Sequence, residues 1–148
     1  MSDLYDIDIA LWAKTQAELL RLRAEGKLVN EAELDWSNIA EEIESVGNEQ
    51  RFAIESLLTN IMRHQLQIAA WPQVLAVQHW QHEIVGRRVQ VRRRLQRNPG
   101  LRPIIEAELA DLYRDAIETM YREVDGIQRP TVPTECPFTL KGLLTPAA

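Results

Sequence analysis

Three carboxylates stand within four residues at Glu41, Glu42 and Glu44. Grouped glutamates can hold metal ions, as they do in helical bundles that place Glu-x-x-His pairs on facing helices. No Glu-x-x-His occurs in this chain. The first histidine, His64, lies 20 residues beyond Glu44, about 30 Å along a continuous helix. One ion cannot span that gap. The glutamates are therefore read as favouring a helix N-terminus and pairing with arginines. His79 and His82, with Glu83, form a second candidate set. They fall away from the apolar stripe of their helix and are read as solvated. A zinc site needs three or four convergent ligands, and no metal or other cofactor is expected.

Arg87, Arg88, Arg92, Arg93, Arg94 and Arg97 form a basic run. Helical spacing spreads them around the helix, which is a poor design for one phosphate-tracking face. Arg88 differs because it stands inside an apolar stripe, and a buried arginine needs an acidic partner. Glu55, or an acid of the following helix, is the expected one. Stranding that acid by Arg88→Ala should cost roughly 3–5 kcal/mol. Gln16 and Gln50 also occupy apolar seams, where paired amides fix register or hold a small ligand. Cys136 lies between Glu135 and Pro137 with no histidine after it. It is read as a small buried residue rather than a reactive thiol.

These groups must be positioned by helices. From Trp36 to Trp71 there is no proline and one glycine, Gly47. Ile39, Ile43, Val46, Gln50, Ala53, Leu57, Ile61, His64 and Ile68 recur at three- and four-residue steps, the seam of one long amphipathic helix. A first helix over about 6–25 should start at Asp6 or Asp8 and stop at Gly26. Asn30 and Glu33 have capping-box spacing. The long helix covers about 37–70, and Pro72 ends it. Further helices are expected over about 74–97 and 101–124, broken by Asn98-Pro99-Gly100. In the tail, 127–148, Pro130, Pro133 and Pro137 exclude regular helix from the first half. Phe138, Leu140, Leu143 and Leu144 should dock it. The predicted architecture is an all-α, antiparallel four-helix bundle built on one long helix, with a docked C-terminal tail, in a single domain over 1–148. Residues equidistant from Pro72 should lie level on the helices it joins. That rule sets His64 beside Trp80, and predicts that His64 is buried and neutral, with its pKa depressed by desolvation.

The chain has 148 residues and a net charge of −5. Residues 1–50 carry a net −8, residues 51–100 a net +6 and the remainder a net −3. Acidic ends flanking a basic middle point to mutual neutralisation, and they argue against a nucleic-acid partner because the ends would repel phosphate. No apolar run reaches the roughly 20 residues of a membrane span. Met1-Ser2-Asp3 is acidic and no apolar stretch of a secretory signal follows. The single cysteine fits a reducing cytoplasm.

The order of particular residues is familiar. Tyr5-Asp6, Trp12, Gln16-Ala17 and Leu19-Leu20-Arg21 come first. Leu34-Asp35, Asn38 and Glu41-Glu42-Ile43-Glu44-Ser45-Val46-Gly47 follow, then His64, Trp71-Pro72, and Trp80 with Ile84 and Arg88. Pro99, Leu101-Arg102, Tyr113 and Cys136-Pro137-Phe138 complete the set. Over nearly its whole length the chain resembles a bacterial family catalogued as a domain of unknown function, number 29 in that series. Residues 62–67 are more polar than that family's usual leucine-rich run, and Asn98 replaces its usual serine. The resemblance implies an all-helical fold and carries over no catalytic residue.

Two functions are expected from these features. The first is a cytoplasmic helical module that binds another protein or a second copy of itself. The alternative is a small enzyme or ligand-binding protein. Its polar pocket would form where Glu41, Glu44 and Arg102 come level, with Gln16 and Gln50 as further lining candidates. No nucleophile elbow, Walker loop, dinucleotide fingerprint or zinc motif is present, so enzymatic activity has no motif behind it.

Overall fold

A computed structural model describes residues 2–123 and 129–146. They form helices α1 (Ser2–Ile7), α2 (Ile9–Ala24), α3 (Trp36–Ala70), α4 (Ala76–Arg97), α5 (Leu101–Glu123) and α6 (Leu140–Leu144), with a 3-10 turn at Glu31–Glu33. The fold is all-α, a helical bundle with no strand among the described residues. No described helix is long and apolar enough to cross a membrane. Residues 127 and 128 of the predicted tail, its last two residues and the end of the predicted fourth helix at 124 lie outside the described residues. The chain divides into two compact units, Met1–Asn48 and Glu49–Ala148. Helix α3 contributes to both.

In the first unit Asp8, one of the two expected caps, accepts a hydrogen bond from the Leu11 amide at 2.9 Å and starts α2. The six-residue α1 before it is too short for a periodic signal. Gly26 ends α2 with φ of 76°, a conformation that costs a residue without Cβ little. Asn30 accepts from the Ala32 amide at 3.1 Å and opens the 3-10 turn. Trp12, Leu34 and Ile39 make a small core, with Leu19, Leu20 and Val29 packed on it.

In the second unit the later part of α3 packs between α4 and α5. His64 and Trp80 are level, as are Gln50 and Arg94. Each pair is equidistant from Pro72, so the predicted antiparallel register of α3 and α4 holds. Arg51 meets Glu108 at 2.8 Å, and Gln67 meets Glu123 at 2.8 Å. Both numbers rise together, so α5 runs parallel to α3. A helix with neighbours on two sides needs an arc wider than a single seam. Ile54, Leu58 and Met62 accordingly join Ile61 in the core, while the predicted seam residue Leu57 is only partly buried.

The tail docks as expected. Leu140, Leu143 and Leu144 are buried on α6, which Thr139 caps by accepting from the Gly142 amide at 3.0 Å. The Tyr113 hydroxyl donates to Pro133 O at 2.6 Å, and the Tyr121 hydroxyl donates to Pro130 O at 3.0 Å. The half-buried Cys136 packs against the same core.

Arg88 is buried, with 7% of its surface exposed, but among the described residues no carboxylate pairs with it. Glu55 instead pairs with Arg51 at 2.9 Å. Arg88 Nε donates to Leu143 O at 2.6 Å. The last carbonyls of a helix lack intrahelical donors and carry partial negative charge. The end of α6 therefore partners Arg88 Nε, where a carboxylate was expected. Burial, with a contribution from nearby Arg92, holds the Arg88 pKa below the usual arginine value. Because no described carboxylate would be stranded, Arg88→Ala should cost about 1.5–3 kcal/mol, the range for a hydrogen bond to a charged group. Urea melts measure this, and an unchanged midpoint would mean that apolar contacts alone dock the tail.

Candidate functional site

The first unit is held by Asp35, immediately before α3. One carboxylate oxygen accepts from Trp12 Nε1 at 3.0 Å and from Asn38 Nδ2 at 2.8 Å. The other accepts from the Asn38 amide at 3.5 Å. The Asn38 side chain, followed in effect by the Trp12 indole N–H, holds Asp35 below the usual carboxylate range against the opposing effect of burial. Gln16 binds the same corner. Its Oε1 accepts from the Asp35 amide at 2.8 Å, and its Nε2 donates to Glu33 O at 3.0 Å. Tyr5 packs edge-on against Trp12, with ring centres 4.9 Å apart. Its hydroxyl donates to Glu42 Oε1 at 2.6 Å, and that bond foremost pushes the phenol pKa up to about 12.

These ties hold α2 and α3 around an open groove of about 250 Å³. Trp12, Ala13, Gln16, Ala17 and Leu20 line it from α2, and Ile39, Glu42, Ile43 and Val46 from α3. The alanines leave room between the larger side chains. Ile39 is buried, whereas Ile43 and Val46 are 67% and 66% exposed. This corrects the predicted seam: its first half lines an open groove instead of a closed core. Glu41 and Glu44 lie exposed on the same stretch of α3. The unit as a whole has eleven acidic residues against four basic ones.

The predicted pocket residues divide between the units. Gln16, Glu41 and Glu44 belong to the first, Gln50 and Arg102 to the second. Each of the two glutamines expected to pair as register-fixing amides has its partners within its own unit. Gln16 holds the Glu33–Asp35 backbone, and Gln50 accepts from Arg94 Nη1 at 2.9 Å. Arg102 is exposed and faces Glu106 at 3.9 Å. Of the groove residues, spacing placed Ile39, Ile43 and Val46 in the seam, but nothing in that spacing marks the seam as open.

The second unit contains a separate polar network that runs from a buried histidine to an exposed carboxylate. His64 is 6% exposed and stacks near Trp80, with ring centres 6.4 Å apart and planes 21° from parallel. Its Nδ1 lies 2.9 Å from Gln67 Oε1. Gln67 Nε2 donates to Glu123 Oε2 at 2.8 Å, and Arg63 Nη1 donates to Glu123 Oε1 at 2.8 Å. A carboxylate only accepts, so it turns the Gln67 amide nitrogen toward itself and the amide oxygen toward His64. Nδ1 therefore carries the imidazole proton, and Nε2 presents a lone pair toward Arg87 Nη1 at 3.5 Å. The i, i+3 spacing of His64 and Gln67 was the available signal for this pair.

Two outcomes test these arrangements. Gln16→Leu leaves the Asp35 amide and Glu33 carbonyl without their partner, and should destabilise the protein by about 1–3 kcal/mol. Denaturant melts followed by tryptophan fluorescence measure it. For His64, burial is the main cause holding the pKa below its ordinary value, against the opposing bond from Gln67. The unfolded chain then binds the proton first as pH falls. Stability is fully present above the unfolded value of about 6.5 and is lost as pH drops from there toward the folded pKa. NMR titration of the imidazole should give a value below about 6.5, and His64→Phe should flatten stability across that interval.

No curated protein and no solved structure matches the chain. The family model described as domain of unknown function DUF29 matches residues 4–147. That match covers α2 through α6, including Asp35, the groove and the His64 network. The chain belongs to the DUF29 family.

Proposed function

We propose that this protein is an interaction module whose first unit docks a basic amphipathic helix from a partner protein. The supporting observation is the exposure of Ile43 and Val46 in the apolar α2–α3 groove. An amphipathic helix laid in such a groove covers its apolar side chains at helical spacing. The unit's charge selects the occupant. Its eleven acids and four bases favour lysine or arginine on the partner's flanks, and they oppose pairing with a second copy of the same acidic surface. A cytoplasmic site of action fits a chain with one cysteine.

The test uses the full chain and a synthetic Leu/Lys amphipathic helix, with a Leu/Glu peptide of identical apolar stripe as control. The Leu/Lys peptide should alter tryptophan fluorescence saturably. Ile43→Asp, at an exposed position, should keep the helical circular dichroism and weaken binding at least about tenfold, the equivalent of roughly 1.4 kcal/mol. Equal binding of the Leu/Glu peptide, or no effect of Ile43→Asp, overturns the proposal. Sedimentation showing a dimer that Ile43→Asp dissociates makes a second copy the occupant and also overturns it.

A further inference from the structure

A second groove lies in the second unit, distinct from the α2–α3 groove. It has a volume of about 530 Å³, within the roughly 300–1,000 Å³ of small-molecule sites. Ile68, Ile84 and Val85 give it apolar walls, Gln65 and Gln81 add amides, and Pro146 borders it after α6. Arg88 lines the same groove.

Arg88 is more than nine-tenths buried, and its described hydrogen bond uses Nε alone. A guanidinium has four further N–H donors on its two terminal nitrogens. Among the described residues no carboxylate forms an ion pair with it. A buried cation bonded to one neutral carbonyl has unused capacity for an anion, and a planar carboxylate matches two parallel N–H donors. The apolar walls beside it exclude a small hydrated anion as the best fit. They suit a hydrocarbon chain attached to the charged group.

We propose that this groove binds an aliphatic monocarboxylate, its carboxylate on the Arg88 guanidinium and its chain along Ile68, Ile84 and Val85. The Gln65 and Gln81 amides flank the groove as further donors. Val85 is 60% exposed on α4, so a change there alters the groove without opening the core.

The test titrates the full-length protein with octanoate and, separately, with 1-octanol, following the side-chain amides of Gln65 and Gln81 and the Arg88 Nε–H by NMR. Octanoate should shift these signals saturably. Octanol, which lacks the charge, should bind at least about tenfold more weakly, as expected for loss of a charge-assisted pair. Val85→Glu should retain the wild-type unfolding midpoint and weaken octanoate binding by a similar factor. Equal affinity for octanol and octanoate overturns the arginine's role. Unchanged octanoate binding in Val85→Glu overturns the location, and absence of saturation by about 10 mM overturns the site. None of these results bears on peptide docking in the first unit, so the two readings fail independently.

Discussion

An amphipathic helix must have its apolar face covered, and α3 meets that requirement differently along its length. In the second unit, α4, α5 and α6 together enclose Ile54, Leu58, Ile61 and Met62. In the first, Trp12 and Leu34 close over Ile39, but Ile43 and Val46 remain exposed. The same periodicity thus builds a core in one stretch and a groove in the other. Burial of an isoleucine side chain contributes about 1.5–3 kcal/mol. A partner that covers Ile43 and Val46 therefore has a real driving force available.

Polar groups within these apolar surroundings find their partners in distinct ways. Gln16 uses both ends of its amide on backbone, Arg88 reaches the open end of a helix, and His64 joins a chain through Gln67 to Glu123. Another incompletely paired set lies between α3 and α5. Arg51 sits between Glu55 and Glu108, and the bond with Glu55, aided by burial, raises the Glu108 pKa. Close carboxylates disfavour each other's ionised form, and the Arg51 charge between them offsets that repulsion. This contact adds no apolar area, yet it fixes the parallel register of α3 and α5.

Much of this arrangement was legible in residue spacing. Pro72 fixed a turn, and a turn fixes which residues are level, so the neighbours His64 and Trp80 followed. Spacing also identified Arg88 as buried. It did not identify the carbonyl of Leu143, because every residue carries a carbonyl and only the fold decides which one lacks a donor. The exposure of Ile43 and Val46 was hidden for a related reason: periodicity tells which side chains share a face, not whether that face has a neighbour. Helices α1 and α6 span less than two turns, too little for a periodic pattern, although Thr139 and Gly142 have the spacing of the cap that forms. The Glu55–Glu108 contact joins residues 53 positions apart and has no local signature.

The irregular segment before α6 contains Pro130, Pro133 and Pro137. Each proline removes a backbone N–H. The carbonyls of Pro130 and Pro133 are in turn taken by the Tyr121 and Tyr113 hydroxyls. An extended chain ordinarily offers alternating donors and acceptors, on which a strand from another molecule can assemble. Here that ladder is interrupted on both counts. The segment is thus tied to α5 without becoming a template for β-aggregation.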